Sequence, residues 1–157
     1  MVSIIKRTTL IVRDIDTSVR WYQQVLGLEI YYDDLVEMSG TGFPAGGAGD
    51  QTRLVILRAQ DPEIGMIGLL QWLDPPLPAP AIPTTVSYGA PTFVVHTDDV
   101  NAAWEQARGL GTRVQADPHR WSIKGANGRI KHFLSVFLFD PDGHFFELNQ
   151  LEHETDT

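Results

Sequence analysis

The chain has 157 residues, a length that suits one compact domain or two small modules around a shared core. Hydrophobic residues make up 43% and charged residues 20%, which is globular rather than disordered usage. The formal net charge of −8, without a basic run, argues against a nucleic-acid partner or an anionic membrane surface.

Cysteine usage and hydropathy exclude further classes of protein. The chain has no cysteine, so disulfides, thiolate metal sites and thiol nucleophiles are all excluded. No apolar stretch approaches the ~20 residues that a membrane helix needs. The N-terminus lacks the pattern of a signal peptide, so we expect a cytoplasmic protein.

The first half of the chain predicts a strand, a helix and three further strands. Residues 4–13 are rich in β-branched side chains, and Leu10 and Val12 lie on one face at period two. The helix that follows is capped at Asp16 or Thr17 and ends at Gly27. The remaining predicted segments are strands at 28–32, 53–58 and 65–72, with a glycine-rich loop at 38–50 that is either a functional lid or slack.

A proline-rich connector at 74–83 is followed by a second copy of this plan. The predicted segments are a strand at 91–97, a helix at 100–108, a short strand at 113–116, a loop at 118–127, a strand at 130–139, a turn at 140–143 and a strand at 144–148. Trp21 and Trp104 fall at comparable points of the two helices. The pattern indicates an internal duplication of a βαβββ unit.

Two segments carry a resemblance to a known superfamily. They are Val12-Arg13-Asp14-Ile15-Asp16-Thr17-Ser18-Val19-Arg20-Trp21-Tyr22 with Val25-Leu26-Gly27-Leu28, and Phe139-Asp140-Pro141-Asp142-Gly143-His144-Phe145-Phe146-Glu147-Leu148. In order around a duplicated plan, they resemble the opening and the terminal strand pair of the vicinal oxygen chelate superfamily. That superfamily includes glyoxalase I, bleomycin-resistance proteins, fosfomycin-resistance enzymes and extradiol dioxygenases.

The resemblance implies an α+β fold of two βαβββ modules with cup-shaped mixed sheets, the glyoxalase/bleomycin resistance/dihydroxybiphenyl dioxygenase fold. The expected modules are 1–76 and 88–151, within one overall domain, with a connector at 77–87 and a tail at 152–157. Similar short members imply a homodimer whose cups bind a small-molecule ligand.

The resemblance also implies four metal-ligand positions on the first and fourth strands of each module. They fall on Arg7, Gly68, Thr92 and Glu147, and only Glu147 is of the ligand type. A guanidinium cannot coordinate a metal and glycine has no side chain, so we expect no cofactor at the usual site. We expect Glu147 to pair with Arg7 instead, with a catalytic role for Glu147 as the alternative.

Strand alternation selects the residues of the candidate ligand site. Arg7 and Thr9 alternate with Leu10 and Val12, so the Arg7 fork is predicted to face the cup and to anchor an anionic or carbonyl oxygen. Phe133 and Phe137 suit either a pocket or the core. The residues assigned to ligand binding are Arg7, Thr9, Gly68, Thr92, His96, Trp72, Trp121 and Phe43.

The chain contains no Ser–His–Asp order, phosphate-binding loop or dinucleotide fingerprint. We predict a protein that binds a small, partly apolar, oxygen-bearing molecule in the concave cavity without the usual metal. Such a protein is either a sequestering protein or a metal-independent enzyme. The alternative is a metal-dependent lyase, isomerase or dioxygenase with a relocated divalent-metal site, built from Glu147, His96 and His132.

Overall fold

A computed structural model describes residues 1–157 and gives the chain two four-stranded mixed sheets, each with one helix. The first half contains β1 (Arg7–Ile11), α1 (Ile15–Leu26), β2 (Glu29–Glu37), β3 (Gln51–Arg58) and β4 (Met66–Asp74). The second half contains β5 (Thr92–His96), α2 (Val100–Gly109), β6 (Val114–Lys124), β7 (Ile130–Phe139) and β8 (Phe145–Thr155). The predicted α+β fold of two βαβββ modules is confirmed.

The two sheets have the same strand order. The first runs β1-β4-β3-β2 and the second β5-β8-β7-β6. In each sheet the first strand pairs in parallel with the fourth, and the other pairs are antiparallel. The chain divides into two compact units, residues 1–23 with 27–81 and residues 24–26 with 82–157. Neither helix is long and apolar enough to cross a membrane.

Both helices have an aspartate as N-cap. Asp14 and Asp99 are the N-caps, each accepting a hydrogen bond from the backbone N–H three residues on, at 3.0 and 2.9 Å. The first helical N–H groups, at Ile15 and Val100, donate to the side chains of Gln71 on β4 and Gln150 on β8. The predicted caps Asp16 and Thr17 are wrong, because Asp14 has the extended backbone of a cap and Thr17 supplies the N–H that it binds.

Residues on one face of the first sheet are buried. Leu10 and Val12 are 5% and 4% exposed, and Val55, Leu57 and Leu69 on β3 and β4 are completely buried. The α1 side chains Trp21 and Tyr22 are also completely buried and contact edge to face. The predicted alternation of the first strand is confirmed, since Arg7 on the opposite face is exposed.

An ion-pair network links α1 to the first sheet. The Arg53 guanidinium on β3 donates to both carboxylate oxygens of Asp33 on β2 at 2.8 Å and to Asp16 at the start of α1 at 2.9 Å. These hydrogen bonds lower the pKa of Asp33 and raise the pKa of Arg53. The network therefore favours the charged forms of both partners.

Three sequence predictions need correction. Residues 118–124 are not part of a loop, because β6 continues through Pro118 and Trp121 to Lys124, and only residues 125–127 of the predicted loop lie between β6 and β7. β6 is an edge strand with register shifts between Val114 and His119, and an edge is where a sheet tolerates proline. β8 also runs beyond the predicted strand end at Leu148 to Thr155, because it pairs along the whole of β7.

The third correction concerns the two helix tryptophans. Trp21 is the seventh residue after the cap Asp14, whereas Trp104 is the fifth after Asp99, so they are not equivalent. Trp21 is completely buried, and Trp104 is half-buried with its indole N–H donating to Asp117 on β6 at 3.1 Å. The equivalent residues of the two modules are the N-caps Asp14 and Asp99 and the glutamines Gln71 and Gln150, not these tryptophans.

Candidate functional site

The first unit brings Arg7, Thr9 and Gly68 together on the face of its sheet opposite to that of Leu10 and Val12. Thr9 lies directly opposite Gly68 in the parallel register of β1 and β4. The Arg7 Nε donates to Thr9 Oγ1 at 3.1 Å. A Cβ at position 68 would lie 2.8 Å from Thr9 Oγ1 and 3.1 Å from Arg7 Cδ. Glycine is therefore the residue that lets the arginine side chain lie across β4.

Trp72 and Phe43 form a separate cluster with the glycine-rich loop. The Trp72 indole is 3% exposed, donates to Asp50 at 3.0 Å, and lies with its ring centroid 5.7 Å from that of Phe43. Asp50 also accepts a hydrogen bond from the Gly47 backbone N–H at 2.7 Å. The loop is thus folded onto Trp72, and little of that ring is available to a ligand. The assignment of Trp72 and Phe43 to ligand binding stays a prediction.

The second unit gathers polar and aromatic side chains on one face of its sheet. Val94 on β5 and Phe137 on β7 lie on either side of Glu147 on β8. Thr92 and His96 lie two residues before and after Val94, on the same face of β5, and both are exposed. We define this "Glu147 face" by the residues Thr92, Val94, His96, His119, Trp121, Phe133, Ser135, Phe137, Phe139, Phe145, Glu147, Asn149 and Leu151.

A chain of hydrogen bonds crosses the Glu147 face from β6 to β8. The Trp121 indole N–H donates to Ser135 Oγ at 2.7 Å, and the Ser135 hydroxyl donates to Asn149 Oδ1 at 2.5 Å. The Asn149 amide then donates to Glu147 Oε1 at 2.8 Å. Ser135 and Asn149 are buried, whereas Trp121 and Glu147 are half-buried. The carboxylate is held in place while part of it stays accessible.

Aromatic rings surround this polar line. Trp121 stacks on Phe133 with ring centroids 5.4 Å apart, and His119 stacks on Phe137 at the same separation. The Phe137 ring lies 6.2 Å from that of Phe145. Phe133, Phe137 and Phe145 are each half-buried, so their rings present apolar area on the Glu147 face as well as packing together. The face suits a flat, partly apolar molecule.

The predicted pairing of Arg7 with Glu147 stays a prediction, since the hydrogen bonds described for each lie inside its own unit. The chain contains no group of three or more histidine, aspartate or glutamate side chains placed to hold a metal ion. His132, named for a relocated metal site, has both ring nitrogens bonded to hydroxyls, of Ser122 at 2.7 Å and Thr155 at 2.8 Å. It alternates with Phe133 and so lies on the other face of β7.

An ion pair lies further along the second sheet. Arg120 donates to both oxygens of Glu152 at 2.9 Å. This contact lowers the pKa of Glu152 and raises the pKa of Arg120. The contact with Arg120 thus favours the ionised form of Glu152, which lies on β8 five residues beyond Glu147.

Sequence reasoning missed Ser135 and Asn149. The available signal was their polar character at alternating positions of otherwise apolar strands, in which neighbouring Val136 and Leu148 are completely buried. Their connection to Trp121 depends on the register of the part of β6 beyond Pro118, where the sequence predicts a loop.

Comparisons with known proteins agree on the fold. The family model described as Glyoxalase/Bleomycin resistance protein/Dioxygenase superfamily matches residues 4–148. A glyoxalase family protein from Bacillus cereus is 14% identical with a TM-score of 0.77, over 96% of this chain and 95% of that one. The fosfomycin resistance protein FosX from Mesorhizobium loti is 20% identical with a TM-score of 0.57, over 95% and 92%.

A third solved structure is similar over its whole length. TnmS3, an antibiotic binding protein from Streptomyces sp. CB03234, is 18% identical with a TM-score of 0.55, over 96% of this chain and 98% of that one. No curated protein matches the sequence. At these identities the likeness concerns the fold alone.

Proposed function

The chain belongs to the Glyoxalase/Bleomycin resistance protein/Dioxygenase superfamily, and on that premise we propose that it binds a small, partly apolar, oxygen-bearing molecule on the Glu147 face. One observation carries the proposal: Glu147 is a half-buried carboxylate, held by Asn149 and flanked by half-buried aromatic rings. Small-molecule sites combine a mostly apolar lining with a few fixed polar groups in this way.

We also propose that the ligand binds without a metal at the family's usual positions. Arg7 carries a positive charge and Gly68 has no side chain, so neither supplies a donor atom. Arg7 and Thr9 also occupy the space that a side chain at position 68 would need. A neutral Thr92 hydroxyl and one carboxylate remain, fewer than the three protein ligands of a catalytic zinc site.

Elemental mass spectrometry tests the metal-free part of the proposal. Untagged protein is analysed before and after dialysis against Zn²⁺, Ni²⁺, Mn²⁺ and Fe²⁺. We expect far less than one metal ion per chain to survive washing. Near-stoichiometric retention that Glu147→Gln abolishes would contradict the proposal and favour a relocated site that includes Glu147.

Nuclear magnetic resonance of the indole N–H groups tests binding at the Glu147 face. The four tryptophans give four signals, and Trp121→Phe identifies the one on this face. With 2-naphthol as the probe, we expect the Trp121 signal to shift saturably while the Trp104 signal on α2 stays in place. Shifts of equal size at both, or none, would refute binding of this type of molecule here.

Recovery of the probe separates binding from catalysis. A sequestering protein returns the bound molecule unchanged, whereas a metal-independent enzyme converts its substrate in the presence of a chelator. The Glu147 face supports the sequestering role, because Glu147 is the only ionisable group in its hydrogen-bond chain and no acid–base partner is bonded to it. Release of unaltered molecule after chelator treatment is the expected result.

A further inference from the structure

In the three hydrogen bonds that connect Trp121 to Glu147, each group donates to the next group toward Glu147. An indole N–H can only donate, so Ser135 Oγ must accept from Trp121. The single Ser135 hydroxyl proton is then directed to Asn149 Oδ1. This leaves the Asn149 NH₂ group to donate to Glu147 Oε1. The Trp121 N–H thereby fixes the donor-to-acceptor direction of all three hydrogen bonds.

The opposite orientation of the Asn149 amide is unfavourable. It would place Asn149 Oδ1 against the Glu147 carboxylate, where two acceptors would face each other at 2.8 Å. The Glu147 oxygen that accepts at one end and the indole N–H that donates at the other are both satisfied only in the observed direction. Glu147 is therefore held as an acceptor, and its second oxygen, Oε2, accepts no hydrogen bond within the second unit.

The neighbours of Glu147 do not supply the missing donor. Val94 on β5 and Phe137 on β7, its two cross-strand neighbours, have apolar side chains. Lys131, further along β7, lies 3.9 Å from Glu154 and is engaged there. At the other end of the face, Arg113 lies over the Phe139 ring, 5.3 Å from its centroid. Thr92 and His96, on the same face of β5, make no hydrogen bond to Glu147. Within the second unit, Oε2 is therefore left to accept from water or from a bound molecule.

Resting on the proposed function, we propose that Glu147 recognises a hydrogen-bond donor on the ligand. The site then takes a flat aromatic molecule that carries a hydroxyl or ammonium group, and it rejects one that presents only ether or anionic oxygen. The ring would lie among Trp121, Phe137 and Phe145, where a cation gains from the ring faces as well. Trp121, Ser135 and Asn149 act as positioning residues for the carboxylate.

Four naphthalenes that differ in one substituent test this inference by isothermal titration calorimetry. 2-Naphthol offers a neutral donor, 2-(aminomethyl)naphthalene a charged donor, 2-methoxynaphthalene no donor, and 2-naphthoate an anion. We expect the two donors to bind roughly tenfold to a hundredfold more tightly than the methoxy compound, which corresponds to one hydrogen bond to a charged acceptor. 2-Naphthoate should bind most weakly on the Glu147 face because its charge repels the carboxylate.

Glu147→Gln changes this preference without changing the size of the side chain. Its amide can still accept from Asn149 through the oxygen, and it then presents an N–H to the ligand. We expect 2-naphthol to lose its advantage over 2-methoxynaphthalene, and 2-naphthoate to gain affinity. Glu152→Gln is the matched control, since it removes one ionised carboxylate from the same strand but leaves the Glu147 hydrogen bonds intact.

Trp121→Phe separates the positioning role from packing. The variant keeps a ring to stack on Phe133 but removes the only N–H that orients Ser135. Because Trp121 also lines the site for the ring, we expect both compounds to lose some affinity, but 2-naphthol to lose severalfold more than 2-methoxynaphthalene. A purely structural role would weaken both compounds equally.

The outcomes separate this inference from the proposed function. Equal affinity of the unaltered protein for 2-naphthol and 2-methoxynaphthalene would overturn the donor requirement while leaving ligand binding intact. Failure of all four compounds to bind would overturn the proposed function and this inference with it. The comparison among probes uses the unaltered chain, so it stands even if a variant does not fold.

Discussion

Replacement of Gly46 by alanine tests whether the glycine-rich loop is packed onto Trp72. Gly46 has a φ of +64°, in the left-handed region, and a Cβ there would lie 2.3 Å from both Asp50 Oδ2 and Trp72 Nε1. No side-chain atom fits at that distance. The Asp50–Trp72 hydrogen bond, 3.0 Å long, has to break or the loop has to move away.

The expected loss of stability follows from two contributions. Alanine in a left-handed conformation costs about 1 kcal/mol. A buried hydrogen bond to a charged group contributes about 2 kcal/mol, and Trp72 is 3% exposed, so its N–H would stay unsatisfied. We therefore expect Gly46→Ala to lower the free energy of unfolding of the first unit by about 3 kcal/mol.

Gly27→Ala is the matched control in the same unit. Gly27 ends α1 with a φ of +67°, and a Cβ there meets nothing within 4 Å, so only the backbone cost of about 1 kcal/mol applies. Urea unfolding followed by tryptophan fluorescence and circular dichroism measures both variants. Equal losses for Gly46→Ala and Gly27→Ala would refute the packing of the loop on Trp72.

Two further predictions concern the first sheet and the second. Arg53→Met should destabilise the first unit by about 1 kcal/mol at neutral pH, a small value because both partners are partly exposed. Arg53 lowers the pKa of Asp33, so this contribution to stability is present above the unfolded pKa of about 4 and is lost as the pH falls through the folded pKa. The free energies of urea unfolding of the variant and of the unaltered protein should therefore converge in acid. A difference between them that does not depend on pH would contradict this prediction. Leu138→Ala on β7 should cost about 3 kcal/mol, because this side chain is completely buried. Leu35→Ala on β2, where the side chain is 63% exposed, should cost less than about 0.5 kcal/mol in the same assay, and similar costs for the two would contradict the assigned core.

The sequence predicted the duplicated fold because its strongest signals are local. β-Branched alternation, an acidic cap and a terminal glycine act within a few residues, and they located β1, α1 and the strand at 130–139. The prediction failed at β6, where Pro118 and two register shifts interrupt the alternation. Proline at that point is compatible with a strand only because β6 lies at the sheet edge, which depends on tertiary structure.

The candidate site was predictable only in part, for the same reason. Glu147 and Trp121 were identified by residue type, but nothing local in the sequence connects them across 26 positions. Their connection passes through Ser135 and Asn149, which are brought opposite each other by the β7–β8 register. Loop 38–50 is predicted from its glycines to be either a functional lid or slack. Composition cannot reveal that Asp50 fixes the loop to Trp72 through hydrogen bonds.

The two modules share a backbone arrangement but carry different residues at equivalent positions of their fourth strands. In each module a glutamine on the fourth strand binds the first N–H of the helix, Gln71 in one and Gln150 in the other. Three residues before these glutamines lie Gly68 and Glu147, so the two occupy equivalent positions. Gly68 leaves room for the Arg7 side chain to lie across β4, whereas the Glu147 carboxylate accepts a hydrogen bond from Asn149.

At the two positions where the family resemblance implies metal ligands, Gly68 and Glu147, the modules therefore carry different arrangements. A site that had merely lost its metal would leave the retained carboxylate without support, and an unsupported half-buried charge is costly. Glu147 instead accepts from a polarised chain that begins 26 residues away at Trp121 and passes through two buried polar side chains. Buried polar groups are costly unless they form hydrogen bonds. Here Ser135 and Asn149 both form them, and each donates toward Glu147. This arrangement favours a carboxylate kept for ligand recognition over a remnant of metal chemistry.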